Sequence, residues 1–224
     1  MNAMPLDGYV IQGSNGEYVY LSIAERVAAI EAARAVTPAG RLLIAGSGME
    51  GTAETIALTR QMAAAGADIA IVVSPCYYKG LHDLRCARAP LSNGGRRPRP
   101  IPVMLYNVPG FTGVDMGAEV AIRCAAHANF AASKTQCKCA EDRADCGGDA
   151  GRDFSVLTGS GGAFLGALAV GASGTVAALA NVAAAPLAEM QRLFHAGKLE
   201  AAAQTAAQLD SVNMLLTARL ALPA

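Results

Sequence analysis

Short, nearly continuous apolar runs alternate along this chain with longer amphipathic segments. Residues 8–13, GYVIQG, form a β-branched run that ends in a turn, which predicts a short strand. Ser22 and Glu25 have the spacing of a capping box and open a helical segment over residues 22–36. The first predicted pair of elements is therefore one strand followed by one helix.

The same order recurs along the rest of the chain. Residues 52–66 have helical periodicity and end in glycine, while 115–128 are amphipathic and 164–172 predict a further helix. Between these segments lie apolar runs with the character of buried strands. The predicted strands after the first are 41–46, 68–75, 101–109, 129–134, 154–162 and 174–182.

Seven alternating units predict an α/β fold with a parallel sheet, because the strands are apolar throughout rather than on one face only. With no long interruption between units, a (β/α)8 TIM barrel is favoured over a doubly wound sheet. One strand of the eight is missing. We treat residues 1–224 as a single, partial barrel domain.

Two windows break this rhythm where helices are due. Residues 81–99 and 135–153 contain glycine, proline, arginine and cysteine without an apolar period, so neither predicts an amphipathic helix. One interpretation is a pair of long loops, which compact domains rarely carry without a function. The other is out-of-frame translation or mis-spliced exons, since the flanking strands resume on schedule.

Composition narrows the classes of partner. The formal net charge is zero and the most basic stretch, RRPRP at 96–100, is short, so we expect no nucleic-acid partner. No uncharged apolar run approaches the roughly 20 residues of a membrane span, so we expect no membrane partner. The first residues, MNAMPLDG, lack the features of a secretory signal or a transit peptide, which favours a cytoplasmic location as written.

The six cysteines are interpreted as reduced thiols, because most of them are scattered through apolar segments of a sizeable chain. Cys137, Cys139 and Cys146 are close in sequence, but structural zinc sites usually use wider cysteine pairs and four ligands. We therefore predict no metal site and no cofactor.

A glycine-rich turn raises one rival interpretation. Gly46, Gly48 and Gly51 have GxGxxG spacing between a predicted strand and a predicted helix, as in dinucleotide-binding proteins. The acidic residue due at the end of the next strand is missing, since that strand ends in Ser74 and Pro75. A tight turn between strand and helix is the favoured interpretation.

Lys134 is the most informative of the four lysines. Lys79 and Lys138 lie in polar segments and Lys198 lies on a late helical surface, whereas Lys134 ends a predicted strand, at the edge where barrels build active sites. Partial desolvation there lowers the pKa of an amine, so that it can attack a ketone and form a Schiff base. The alternative is a strand-end lysine that extends into solvent.

Two further segments can reach the same edge of the barrel. Tyr106 ends the strand before that of Lys134, and its phenol could relay protons to and from a carbinolamine, although a lone tyrosine is more often a core aromatic. GSNGE at 13–17 follows the first strand, and its backbone N–H groups together with the Ser14 hydroxyl could hold a carboxylate.

Six motifs together resemble the dihydrodipicolinate synthase / N-acetylneuraminate lyase family of class I aldolases, in order and in approximate spacing. Within that family the chain looks most like the branch that cleaves 4-hydroxy-2-oxoglutarate. The similarity covers nearly all of the chain outside the two irregular windows. The motifs are GSNGE (13–17), SPCYYKG (74–80), LYNVPGFTG (105–113), HANFAASK (127–134), LTGSGG (157–162) and ALANV (178–182).

The resemblance implies a TIM barrel that is usually a homotetramer, with Lys134 as the imine-forming residue and Tyr106 as the acid and base. It implies that Ser14 bridges Tyr106 to Tyr77, which reaches across a dimer interface into the neighbouring subunit's site. The residues implied around the substrate's carboxylate and imine are Ser14, Asn15 and Gly159.

The chain also departs from the family pattern. Dihydrodipicolinate synthases carry an arginine where this chain has Phe111, which argues against that activity. Thr135 and Gln136 replace the acidic and small residues that follow the family lysine. The family's first strand is expected before Gly8 and further helices beyond Ala224, so the barrel is expected to lack them.

The resulting functional hypothesis is a Schiff-base lyase that splits 4-hydroxy-2-oxoglutarate into pyruvate and glyoxylate. Dihydrodipicolinate synthase or another pyruvate-dependent lyase is the first alternative. The second is an inactive, truncated barrel that binds the full-length enzyme through the Tyr77 face. A mitochondrial location is expected if residues are missing before Met1, because related animal aldolases are mitochondrial.

Overall fold

The structure, a computed structural model, describes residues 3–78, 101–135 and 154–216. Within these ranges, seven strands form one sheet in which each strand pairs in parallel with the next along the chain. This order is that of a TIM-barrel-like sheet, and all seven predicted strands are confirmed. The strands are β1 (Gly8–Ile11), β2 (Leu42–Gly46), β3 (Ile69–Val73), β4 (Val103–Asn107), β5 (Phe130–Thr135), β6 (Ser155–Thr158) and β7 (Gly174–Thr175).

Helices connect the strands, and none of them, within the described residues, combines the length and apolar character needed to cross a membrane. The predicted helices over 22–36, 52–66, 115–128 and 164–172 are confirmed, each slightly shorter than expected. The helices are α1 (Ile23–Val36), α2 (Thr52–Ala64), α3 (Pro109–Thr112), α4 (Gly117–Ala125), α5 (Phe164–Ala169), α6 (Ala180–His195) and α7 (Leu199–Met214).

The predicted strand over 174–182 is wrong in its second half. Strand β7 has only two residues, and α6 begins at Ala180. Alanine-rich apolar runs fit a buried strand and a buried helix equally well, so periodicity cannot separate the two. Of the irregular windows, 81–99 lies outside the described residues, as does 135–153 up to its last residue, except that Thr135 ends β5.

The sheet curls toward one face. In a flat sheet β1 and β4 would lie about 14 Å apart, at the usual strand spacing. Nevertheless the hydroxyl of Ser14, just after β1, lies 3.0 Å from the phenol oxygen of Tyr106 in β4. The residues that cluster on this concave face come from six strands: Val10, Ile44, Ile69, Ile71, Val73, Met104, Tyr106, Val108, Ala132 and Leu157, where Val108 directly follows β4.

Helices cover the convex face of the sheet. In β2, Leu43 is fully buried against Ile30 of α1 and Met62 of α2, whereas its neighbour Ile44 points into the concave face. A separate cluster joins the last three helices around Met190 of α6. Side chains that alternate between two buried faces explain why the strands are apolar throughout.

A β-bulge sets the register of the ladder between β4 and β5. One extra residue, Ala131, lies between the first and second residue pairs of this ladder. Beyond it, Tyr106 pairs with Lys134. Without the bulge Ser133 would stand opposite Tyr106, because a shift of one residue exchanges the two faces of a strand. The bulge therefore directs Lys134 to the concave face.

The predicted capping box of α1 is present and gives a stability prediction. Ser22 accepts from the backbone N–H of Glu25 at 3.3 Å, and the Glu25 carboxylate accepts from the backbone N–H of Ser22 at 2.8 Å. We expect Ser22→Ala to lower the free energy of unfolding by about 1 kcal/mol, because helix N–H groups lose their acceptor. Urea denaturation measures the change. Ser211→Ala, on the exposed face of α7, is the control and should leave stability nearly unchanged. Equal losses in both variants would contradict a specific capping effect.

Candidate active site

Lys134 and Tyr106 form the centre of the candidate site. Each is the second-last residue of its strand, and the two are direct partners in the parallel ladder. The Lys134 Nζ lies 4.1 Å from the centroid of the Tyr106 ring. Only 6% of Lys134 and 3% of Tyr106 is exposed. The prediction that both side chains reach the same end of the sheet is confirmed.

Burial governs the amine of Lys134. It lowers the pKa of Lys134 from the usual 10.5 to about 8. The Tyr106 ring face attracts the charged form, but this attraction contributes about 0.5–2 kcal/mol, against roughly 3 kcal/mol for the effect of burial. At pH 7 roughly one molecule in ten then carries a neutral amine, compared with fewer than about one in a thousand for an exposed lysine.

The Tyr106 phenol is held by Ser14. Burial raises the pKa of Tyr106, and the hydrogen bond with the Ser14 hydroxyl opposes that rise. Ser14 begins a single 3-10 turn, Ser14–Gly16, directly after the chain leaves β1. The phenol is therefore protonated near neutral pH and has one neighbour through which a proton can pass.

The remaining predicted site residues divide into two groups. Gly159 follows β6, is buried, and donates its N–H to the Thr135 carbonyl at 2.7 Å, which brings it beside the end of β5. Asn15 is exposed on the turn next to Ser14. Tyr77, in contrast, is 76% exposed and packs edge-to-face on the neighbouring Tyr78, so a single chain does not bring it into the site.

One group of residues close to the site is missed by the sequence reasoning. The Arg26 side chain, on α1, is buried and bonds to Gln12 and to the Gly46 carbonyl, with its guanidinium over the Tyr18 ring. The sequence contains one signal for it: Arg26 lies four residues before Ile30, so a charge falls on the apolar stripe of α1.

The glycine-rich turn after β2 serves packing. A side chain at Gly46 would collide with the Gln12 carbonyl, and one at Gly48 would come within 2.9 Å of Val73. Both glycines are therefore needed where the ends of neighbouring strands approach, which supports the tight-turn interpretation over dinucleotide binding. Gly51 caps α2.

Thiols and metal ligands lie apart from the site. Cys76 and Cys124 are free thiols, and Cys137, Cys139 and Cys146 lie outside the described residues. Within the ranges that the structure covers, no cluster of three histidine, cysteine or acidic side chains could hold a metal ion.

Comparisons with known proteins agree with this geometry. Residues 1–223 match the model of the dihydrodipicolinate synthetase family. A probable mitochondrial 4-hydroxy-2-oxoglutarate aldolase of Emericella nidulans is 33% identical over 216 residues, covering 93% of this chain and 69% of the relative. A 4-hydroxy-tetrahydrodipicolinate synthase of Xanthomonas axonopodis is 36% identical over 215 residues, covering 93% and 68%.

Solved structures of related proteins have the same fold. A dihydrodipicolinate synthase from Bacillus anthracis superimposes with a TM-score of 0.85 at 29% identity, over 95% of this chain and 73% of that one. A prophage protein of the dihydrodipicolinic acid synthase family from E. coli K12, crystallised with pyruvate, has a TM-score of 0.85 at 26% identity, over 95% and 72%.

The low pKa of Lys134 predicts that this residue destabilises the folded protein near neutral pH. Below pH 8 the buried amine must be protonated at a cost, and the cost disappears as pH rises toward 10.5, the usual lysine value. We expect Lys134→Met to raise the free energy of unfolding at pH 7 by about 1–3 kcal/mol, after allowance for the lost contact with the Tyr106 ring. Urea denaturation at pH 7 and pH 10 measures the difference, which should shrink at the higher pH. A Lys134→Met variant that is less stable than wild type at pH 7 would contradict the assignment.

Proposed function

This chain belongs to the dihydrodipicolinate synthetase family, and from that premise we propose that it is a Schiff-base lyase that cleaves 4-hydroxy-2-oxoglutarate to pyruvate and glyoxylate. The observation that carries the proposal is the buried amine of Lys134, 4.1 Å from the ring centroid of Tyr106. A lysine with a lowered pKa at the carboxyl end of a parallel strand is suited to attack a ketone. The seven parallel strands support a (β/α)8 barrel as the architecture around it.

The reaction begins at the ketone carbon of the 2-oxo acid. The neutral Lys134 amine adds to this carbon and gives a carbinolamine. Tyr106 donates its phenolic proton to the carbinolamine hydroxyl, which leaves as water, and a protonated imine and a phenolate remain. The Ser14 hydroxyl, 3.0 Å from the phenol oxygen, stabilises this phenolate.

Cleavage uses the imine as an electron sink. The Tyr106 phenolate removes the proton from the C4 hydroxyl, the C3–C4 bond breaks, and its electrons flow into the imine. Glyoxylate leaves and an enamine remains on Lys134. The phenol then protonates the enamine carbon, and water hydrolyses the imine to release pyruvate. Each step uses groups already described, so the proposed mechanism requires no metal or cofactor.

The substrate-binding roles extend the same proposal. Ser14, Asn15 and Gly159 are proposed to surround the carboxylate and imine of the 2-oxo acid, which their positions around Lys134 and Tyr106 support. The peptide N–H groups of a tight turn can hold a carboxylate without a nearby cation.

We further propose a homo-oligomer, a dimer or tetramer, in which Tyr77 enters the site of a partner subunit. The exposure of Tyr77 and Tyr78 supports this, since adjacent exposed aromatic side chains are typical of protein interfaces. The inactive-partner alternative would use the same face. The compartment, cytoplasmic or mitochondrial, stays a prediction.

The choice of substrate rests on Phe111 and on the relatives. Phe111 lies in α3, is more than half exposed, and offers no cation at the position where the resemblance implies an arginine in dihydrodipicolinate synthases. The relative from Emericella nidulans is named as an aldolase, which favours cleavage. The synthases among the relatives make a pyruvate-dependent condensation the alternative.

Borohydride trapping tests the nucleophile. We expect the wild-type chain, incubated with pyruvate and borohydride, to gain the mass of one reduced three-carbon unit, with peptide mass spectrometry locating it on Lys134. Lys134→Arg should gain none, because a guanidinium does not form the imine. Lys198→Arg, changed at an exposed lysine before α7, is the matched control and should be labelled like wild type. Equal labelling of wild type and Lys134→Arg would refute the assignment.

A direct comparison of the two reactions tests the substrate. We expect glyoxylate release from 4-hydroxy-2-oxoglutarate to exceed the formation of 4-hydroxy-tetrahydrodipicolinate by at least about tenfold in kcat/KM, equivalent to about 1.4 kcal/mol of transition-state binding. Phe111→Arg should narrow this ratio if a cation at that position favours the condensation. A wild-type chain that prefers the condensation would favour the synthase alternative and leave the imine at Lys134 intact.

A further inference from the structure

We propose that Arg26 is a positioning residue that holds the turn carrying Ser14 within hydrogen-bonding distance of Tyr106. The proposal rests on the proposed function, because it concerns proton transfer by that phenol. Arg26 does not touch the reacting amine in this arrangement. It acts through the chain segment between β1 and α1, residues 12–22.

Arg26 is a cation buried without a carboxylate partner. Only 3% of it is exposed, and within the described part of the chain no acidic side chain lies at ion-pair distance from its guanidinium. Its neighbours are the Gly46 carbonyl at 2.9 Å, the Gln12 side-chain oxygen at 3.1 Å and the Met49 sulfur at 3.2 Å. Burying a charge among neutral acceptors is costly, and an apolar side chain on this face of α1 would avoid the cost.

The first segment that Arg26 holds is the exit from β1. Gln12 has a φ of +67°, a left-handed conformation that residues other than glycine seldom adopt. Both ends of its side-chain amide are bound to Arg26: the oxygen accepts from Nε, and the nitrogen donates to the Arg26 carbonyl at 2.5 Å. This conformation sets the direction in which the chain leaves the strand, two residues before Ser14. The paired hydrogen bonds therefore stabilise a turn that the backbone alone disfavours.

The second segment is the far side of the same turn. The Arg26 guanidinium carbon lies 4.9 Å from the centroid of the Tyr18 ring, an arrangement that attracts the cation to the ring face. Burial raises the pKa of Tyr18, so its phenol is neutral and the contact is made by the ring. One side chain thus grips the chain on both sides of Ser14, at Gln12 and at Tyr18. Through Gly46 it also joins this turn to β2.

Ser14 depends on this grip because its link to Tyr106 is a single contact at 3.0 Å. The other hydrogen bonds of the turn, from Gly16 N–H to Gly13 and from Glu17 N–H to Ser14, are internal to it and cannot fix it relative to β4. A displacement of about 1 Å breaks a hydrogen bond of this length. Loss of Arg26 should therefore slow proton transfer by Tyr106 while leaving Lys134 in place.

A double-mutant cycle on the full 224-residue chain tests the proposal. Wild type, Ser14→Ala, Arg26→Met and the double variant are compared for kcat and KM in the cleavage of 4-hydroxy-2-oxoglutarate. We expect each single variant to lower kcat by roughly 10- to 100-fold, with a smaller change in KM. The double variant should be within about threefold of Ser14→Ala, because Arg26 has no further effect once the Ser14 hydroxyl is gone.

Two further variants separate positioning from simple stability. Arg26→Lys keeps the charge and most of the stem but cannot bond Gln12 and Gly46 together, so kcat should recover only in part. If Arg26→Met does not fold, Arg26→Lys takes its place in the cycle. Arg34→Met, on the same helix, loses an ion pair with Asp68 at 3.0 Å and should leave kcat unchanged.

The possible results distinguish this proposal from the proposed function. If wild type forms the borohydride adduct but Arg26→Met lowers kcat by the same factor with and without Ser14, the positioning role is overturned and the lyase stands. The same holds if kcat falls equally in Arg34→Met. If wild type forms no adduct with pyruvate, both proposals fail together.

Discussion

A lysine amine buried beside the face of a phenol ring is the constraint on which the rest of this structure depends. The chain places a group that prefers water inside the concave face of a parallel sheet, with Tyr106 as the neighbour of Lys134. Burial lowers the pKa of that amine to about 8, so part of the folding free energy is given up to obtain a nucleophile. An apolar residue in the same place would give a more stable protein that cannot form an imine.

Three features of the fold bring this about. Curling of the sheet brings β1 close to β4, so that Ser14 can reach the phenol oxygen. The bulge at Ala131 exchanges the faces of β5 and turns the lysine inward. Helices on the convex side keep water away from the strands and hold the sheet in its curvature. Removing any one of these features would leave the same residues in the sequence but would separate them in space.

The site contains a second buried cation, and the two have opposite tasks. The amine at the end of β5 is useful because it can lose its proton, whereas Arg26 remains charged under all physiological conditions and is suited to holding backbone and side-chain acceptors. Each lies against an aromatic ring, Tyr106 for the lysine and Tyr18 for the arginine. In the proposed function one cation supplies chemistry and the other supplies rigidity to the turn between them.

The sequence by itself determined the order of the elements, the parallel sheet and the position of Lys134 at the end of a strand, because apolar runs, capping residues and glycines act locally. It also predicted Tyr106 and Ser14 as partners. Only the tertiary structure decided that the three meet, since this depends on curvature and on a one-residue bulge that leave no periodic signal. The short β7 and the buried Arg26 were likewise decided by packing: contacts between distant segments override local preference, and a charge on an apolar stripe is explained only by the acceptors that the fold places around it.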